Sequence, residues 1–324
     1  DKVEYGRADV APQITVPLSY RPWLSVKVSA GGRATYYEDS LNEARNDLSG
    51  ESLTRTYPFG DVSIIGPSFS RIFEKKIGPF GKFKHIIEPR FRYDFVGEPS
   101  DQDRAPIFDS IDNVRKQSIV SYALVNRILA KPADEESALG AREILSFELS
   151  QAFSLNDDQP FQQSRDRTLM SRHSRIGARL RFTPALRTNF EARATYSTLF
   201  DTIDTASLSG NSNFGRHSFG LTWFTRKDAE LDHTTSHQAR VFTGFELIRN
   251  RLRLGSQANY DFVQSLLQSH RHRLEFTAQC YSLLLEYREI ETQAIEDREV
   301  RLAIALNNIS SILDHNGGDR EEEI

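Results

Sequence analysis

Arg251-Leu252-Arg253-Leu254-Gly255-Ser256-Gln257-Ala258-Asn259-Tyr260-Asp261-Phe262 alternates between two side-chain phases. One phase holds Leu252, Leu254, Ala258, Tyr260 and Phe262, broken only by Ser256; the other holds Arg251, Arg253, Gln257, Asn259 and Asp261. Successive side chains of a strand point to opposite faces, so this stretch makes one apolar face and one charged face. A soluble sandwich buries its apolar face against a second sheet. A membrane barrel turns that face to lipid and keeps the polar one inside. Function depends on which destination the apolar face takes.

The rest of the chain repeats the pattern. Strand-like runs fall at 13–20, 24–37, 55–73 (with a break expected at Gly66-Pro67), 83–96, 117–130, 141–155 and 173–182. They continue at 186–199, 214–226, 238–248, 251–263, 270–279, 281–289 and 298–312, about fourteen strands in all. Thr183-Pro184-Ala185, Arg249-Asn250 and the corner at 279–281 are too short for anything but antiparallel hairpins. Segments 97–114, 156–171 and 202–213 read instead as long polar loops. Short turns at one end and long loops at the other are the habit of outer-membrane barrels. Many runs also exceed the five or six residues usual in globular strands and match the nine to eleven that cross a bilayer. The charged phase is dense, with Arg175, Arg179 and Arg181, then Glu191 and Arg193, then Arg271, Arg273 and Glu275. Such rows suit a wet lumen crossed by ion pairs.

Composition fits this reading without deciding it. The 324 residues are 38% hydrophobic, and mean hydropathy is -0.51. A barrel needs only every second strand residue to be apolar, and no run approaches the ~20 apolar residues of a membrane helix. A formal net charge of -4 gives no support to nucleic-acid binding. One cysteine, Cys280, rules out an internal disulfide. The chain starts at Asp1 without an initiator Met or signal-like segment, which favours a piece of a larger polypeptide. Residues 1–313 read as barrel wall and 314–324 as an acidic disordered tail.

Little in the sequence suggests covalent chemistry. His270 and His272 share a strand face but lack the cysteine or carboxylate cluster that completes a metal set. Ser171-Arg172-His173-Ser174 places serines beside a histidine, with nothing to mark either as activated. No catalytic, cofactor or metal residue is assigned. Pro89 is the odd residue. It lies inside the alternating run His85, Ile87, Pro89, Phe91, Tyr93, Phe95, where it removes a ladder hydrogen bond. It reads either as a tolerated bulge or as a local weakness in the wall.

Three motifs in order carry a resemblance. His85-Ile86-Ile87-Glu88-Pro89-Arg90-Phe91-Arg92-Tyr93 is followed by Ala105-Pro106-Ile107-Phe108-Asp109-Ser110, then by Gln279-Cys280-Tyr281 and a closing strand. Together they resemble the LptD family of lipopolysaccharide-assembly outer-membrane proteins, also called organic solvent tolerance proteins. His85, Glu88, Pro89, Tyr93, Pro106, Phe108 and Asp109 carry the family motif. The resemblance implies an all-β, antiparallel transmembrane barrel of about twenty-six strands, of which these would be the C-terminal part. It implies lipopolysaccharide transport into the outer leaflet of the Gram-negative outer membrane. Sugar would pass through a polar lumen, and acyl chains would leave through a seam between first and last strands. It also implies contact with outer-membrane lipid, an LptE-type lipoprotein plug and an LptA-type periplasmic bridge. The seam element in this chain would be the last strand, facing outward with Val300, Leu302, Ile304 and Leu306. Family members often carry adjacent cysteines at the C-terminal hairpin, bonded to cysteines near the N-terminus. Gln279 replaces the first, which leaves Cys280 as a candidate for one such cross-link. A general porin remains the alternative; it would close within one chain around an inward constriction loop.

Overall fold

The computed structural model describes residues 5–18, 21–42, 44, 47–134, 140–156, 161–162, 170–292 and 296–306. The segment 307–324, which contains the expected acidic tail and the end of the last run, lies outside the described residues. Contacts divide the chain into two units, Asp1–Leu208 with Thr225–Thr235, and Ser209–Phe224 with Ser236–Ile324.

The first unit holds β1 (Arg7–Val10), β2 (Gln13–Pro17), β3 (Ser25–Tyr37), β4 (Leu53–Ile65), β5 (Phe69–Phe73) and β6 (Phe80–Val96). It continues with β7 (Gln117–Pro132), β8 (Arg142–Ser154), β9 (Phe161–Gln162), β10 (Met170–Ser171), β11 (Ile176–Ala185) and β12 (Thr188–Ser197). β13 (Thr202–Phe214), β14 (His217–Asp228) and β15 (His233–Ile248) run across the division. The second unit adds β16 (Leu252–Asp261), β17 (Leu266–Thr277), β18 (Tyr281–Glu291) and β19 (Glu296–Leu306).

Every ladder within a unit is antiparallel. β1 and β2 lie in succession along β3; β3 pairs β4; β4 and β5 lie in succession along β6. β6, β7, β8, β11 and β12 then pair in turn. In the second unit β15 through β19 form consecutive hairpins. β9 and β10 make a separate two-residue ladder. With these set aside, and with β1/β2 and β4/β5 each counted as one interrupted strand, the described residues hold fifteen strand lengths. The extra one over the expected fourteen is β13, which had read as a loop. Its Thr, Ser and Asn cluster as in a loop, and Ile203 and Leu208, five apart, fall in opposite phases, so no apolar stripe marks it as a strand. The β11–β12 turn is also displaced, to Leu186-Arg187, because the register shifts between Phe182 and Ala185.

The burial pattern is inverted relative to a soluble fold. Fully or nearly buried side chains include Thr35, Arg55, Glu88, Asp112, Ser154, Asp261 and Glu286. Exposed ones include Phe91, Tyr122, Leu124, Phe147, Leu149, Phe182, Phe190 and Leu285. The buried apolar cluster is small, Tyr37, Leu53 and Ala105 with Tyr5 against it. β7, β8 and β18 hide their polar phase and show their apolar one, the arrangement of a wall whose outside is lipid. β6 has 17 residues and β7 has 16, beyond the roughly nine to eleven needed to cross a bilayer. The connections at one end of the first unit's strands, 38–52, 97–116 and 155–175, are long, while the β11–β12 turn at the opposite end has two residues.

The expected break at Gly66-Pro67 is present, and it accounts for Pro89. β4 pairs β6 as far as Ile65↔Arg90, and β5 resumes at Phe69↔Ile87 with one residue extra. Gly66 N–H donates to the Pro89 carbonyl at 2.8 Å, and Ser68 N–H turns away to the Trp23 carbonyl at 2.9 Å. In an antiparallel strand the N–H and C=O of one residue face the same neighbour. The donor that Pro89 lacks would therefore point into the break, and no ladder bond is lost. Of the two readings of Pro89, the geometry is that of a bulge. Gly66 holds φ +109°, and a Cβ there would press on the Trp23 carbonyl, so the corner requires glycine.

Candidate functional site

Alternation and register place one continuous polar face on the first unit. β3 contributes Lys27, Ser29, Arg33 and Thr35, β4 Arg55, Asp61 and Ser63, and β6 Glu88, Arg90, Arg92 and Asp94. At the centre Glu88, buried, accepts from Arg90 and from Arg127 of β7, each at 2.8 Å. Arg90 also lies 3.9 Å from Glu148 of β8. Arg33 forks onto Asp9 at 2.7 and 2.8 Å, and Arg92 pairs with Asp94 at 2.7 Å. A buried carboxylate is tolerable only when paired and hydrogen-bonded, and two guanidinium partners meet that demand at Glu88.

Two hollows lie back to back across β6, β7, β8 and β11. The one on the polar face, about 420 Å³, has a floor of Ser63, Ser121, Ser150 and Gly177, overlooked by Arg90, Arg92 and Arg175. The other, about 410 Å³, is apolar, bounded by Pro89, Phe91, Tyr122, Leu124, Leu149 and Ile176. Short side chains on the inner phase open the first; the strand break beside Pro89 opens the second.

A clasp closes one end of this unit. In the 97–116 connection, Asp112 is buried and accepts from Arg7 at 2.7 Å, from the Tyr37 hydroxyl at 2.7 Å, and from the N–H groups of Phe108 and Asp109. Arg7 also binds Asp109 at 2.7 Å. Arg55, fully buried, donates to the carbonyls of Ile111 and Asp112 and to the Gln102 side chain. The Arg7 guanidinium holds the Asp109 carboxyl below its ordinary range. Burial alone would raise Asp112, but the Tyr37 hydroxyl, two backbone N–H groups and Arg7 outweigh it and the carboxyl sits low.

The second unit repeats the two-faced wall. On its polar face Arg273 donates twice to Glu286, at 2.8 and 3.0 Å, and Arg288 reaches Glu299 at 2.9 Å. On its apolar face Trp223 Nε1 donates to His237 Nε2 at 3.0 Å, beside Phe262 and Tyr260. Aromatic clusters of this kind flank the apolar band of membrane barrels.

A model of the LptD family, described as LPS transport system D, matches residues 1–250. The chain belongs to the LptD family. No curated protein matches it. Among solved structures it is similar to BauA, the ferric preacinetobactin receptor from Acinetobacter baumannii, with 10% identity and a TM-score of 0.29. That alignment covers 92% of this chain and 55% of the receptor. Membership and an all-β antiparallel sheet together make this LptD chain an outer-membrane β-barrel protein of the lipopolysaccharide-transport family.

The LptD motif residues fall into three places. His85, Pro89 and Tyr93 share the apolar phase of β6, where the Tyr93 hydroxyl lies 2.9 Å from Ser118 Oγ, while Glu88 lies on the polar phase. Pro106, Phe108 and Asp109 lie in the clasp, with the Phe108 ring 4.6 Å from Tyr5. Cys280, exposed, occupies the short β17–β18 connection beyond the matched region. His270 and His272 face the apolar side with Tyr287, and His270 is 3.5 Å from Glu289, which also pairs with Arg298. No group of three or more metal-binding side chains is found among the described residues. Sequence reasoning missed Arg7, Tyr37, Arg55 and Asp112. Their only trace was the second aspartate three residues after Asp109.

Proposed function

We propose that this chain carries lipopolysaccharide to the outer leaflet of the outer membrane, with sugars and phosphates on its polar face and acyl chains on its apolar one. The observation that carries the reading is the inverted wall in an LptD-family chain: buried carboxylates paired with arginines on one face and exposed Phe, Leu and Ile on the other. The hollow overlooked by Arg90, Arg92 and Arg175 suits phosphorylated sugars, because guanidinium forks match phosphate geometry. β19 is the proposed seam strand. It pairs β18 throughout, and Val300, Leu302, Ile304 and Leu306 are 70, 67, 64 and 56% exposed. An LptE-type plug and an LptA-type bridge belong to the same proposal.

Photoreactive residues test both faces in the full-length protein in cells. Substituted at Arg92 and at Leu302, they are expected to cross-link to lipopolysaccharide. Labelling confined to apolar positions far from β19, with none at Arg92, would refute the assignment.

Cys280 is proposed to form a disulfide with a cysteine outside this segment, since its exposed place in a short turn leaves the thiol accessible. Mass mapping of the full-length protein without reductant should find a Cys280-linked peptide. Recovery of Cys280 only as free thiol counts against the cross-link.

A further inference from the structure

An exposed aromatic side chain stands on the polar face of the second unit, where Leu284 and Ile290 of β18 are only half-buried. By register β15 turns Gln238, Arg240, Phe242, Gly244 and Glu246 to the side of Arg253, Gln257 and Asn259 on β16. Phe242 is 42% exposed amid these groups. An exposed aromatic on a largely charged face is informative in a way that one on the lipid face is not.

The ring has a prepared seat and a low stretch of wall beside it. A Cβ on Gly220 would collide with the Phe242 ring, so the ring rests directly on β14 backbone that only glycine leaves bare. Next to it Gly244 and Gly255 sit directly opposite each other in the ladder with no side chain of their own, and the Ser218 hydroxyl of β14 lies over Gly244. Gln257 is opposite Phe242, Arg271 is opposite Gln257, and Arg273 is opposite Gly255. Glu286 fixes Arg273 through two hydrogen bonds. The result is an aromatic platform beside a low floor with one hydroxyl, edged by an amide and two guanidinium groups.

We propose that Phe242 is a stacking site for a sugar ring, held at its edge by Gln257 and Arg271 and favouring phosphorylated or acidic sugars. A pyranose offers an apolar C–H face to an aromatic ring and hydroxyls around its rim. Gln257 can donate to and accept from those hydroxyls, while Arg271 can only donate and therefore favours anionic substituents. An acyl chain would have no use for the amide and guanidinium rim, and Phe242 is on the face opposite the exposed Leu, Phe and Tyr residues. This site rests on the reading that the polar face meets the sugar part of a glycolipid.

The test uses full-length protein in detergent and, as probe, the acyl-free core oligosaccharide of lipopolysaccharide. Phe242→Leu, which keeps the apolar bulk but not the ring, should weaken binding roughly tenfold, about the worth of one good aromatic contact. Phe242→Tyr should bind within about twofold of the unaltered protein. Heat-modifiable gel migration reports whether each variant folds. If Phe242→Leu does not fold, Gln257→Ala with Arg271→Gln carries the test on exposed or half-exposed groups, and the same loss is expected. Unchanged binding by the folded variants overturns the stacking site. If they bind normally and Arg92 still cross-links to lipopolysaccharide, the transport reading survives alone. If the unaltered protein neither binds the oligosaccharide nor cross-links at Arg92, both fail.

Discussion

Arg55→Ala opens the 97–116 connection and costs about 3–5 kcal/mol, the scale for taking a charged donor from several buried acceptors at about 1–3 kcal/mol each. The side chain is fully buried, and its loss strands the Ile111 carbonyl and the Gln102 side-chain oxygen and leaves the Asp112 carbonyl with the Gln102 amide alone. It also removes a cation lying 5.7 Å from the ring centres of both Tyr37 and Tyr57. Arg55→Lys should recover only part of this, because an ammonium keeps the charge but not the fork that spans two carbonyls. Opening is expected to be local, since the strands beneath keep their own ladders. Limited proteolysis of the full-length protein should cut within 97–116 in the variant and spare the unaltered protein. Equal resistance in both would refute the clasp. Acid should act at the same place. Asp109 and Asp112 both have carboxyls lowered by folding, so their contribution is complete above the unfolded carboxylate value of about 3.9 and is lost as pH falls through the lowered folded values. Protection of the loop is therefore expected to persist at mildly acidic pH and to fail only below about pH 4.

The sequence showed the wall better than its fittings. Strand periodicity is a local property, so the two faces of β16 and the break at Gly66-Pro67 could be read directly from neighbouring residues. β13 escaped because Thr, Ser and Asn supply backbone-compatible strand residues without supplying an apolar stripe. The clasp escaped for a different reason. Arg7, Tyr37, Arg55 and Asp112 are brought together only by folding, across separations of up to 105 residues, and none is unusual within its own segment. Phe242 was not singled out in the sequence, although alternation within its own strand sets its phase. What it rests on, Gly220 of another strand, is fixed only by folding. The Asp109 motif was recognised as a loop, while the companion that buries its charge, Asp112, carries most of the geometry.

The assignment of faces itself is open to a paired substitution at adjacent positions of β8. Leu149 is 43% exposed on the apolar face, and Ser150 forms part of the floor of the polar hollow. If the apolar face meets lipid, Leu149→Arg places a cation in hydrocarbon and should cost about 2–4 kcal/mol near the bilayer midplane. Ser150→Arg instead extends into a hollow of about 420 Å³ on the wetted side, so its cost should be small. A soluble sandwich would give the same order, with Leu149→Arg buried in its core, but only if the exposed Phe91, Leu124, Phe147 and Leu149 were covered by a second sheet. Among the described residues the β8 ladders run to β7 and β11 within one sheet, and these four side chains remain exposed. Urea unfolding of the full-length protein in lipid vesicles and in detergent separates the cases further. The Leu149→Arg penalty should shrink in detergent micelles, where the cation reaches water more easily, whereas a packing defect would cost the same in both. A penalty of equal size for Leu149→Arg and Ser150→Arg in vesicles would mean that the two faces of β8 do not differ in solvent, and the lipid-and-lumen division of this wall would have to be abandoned.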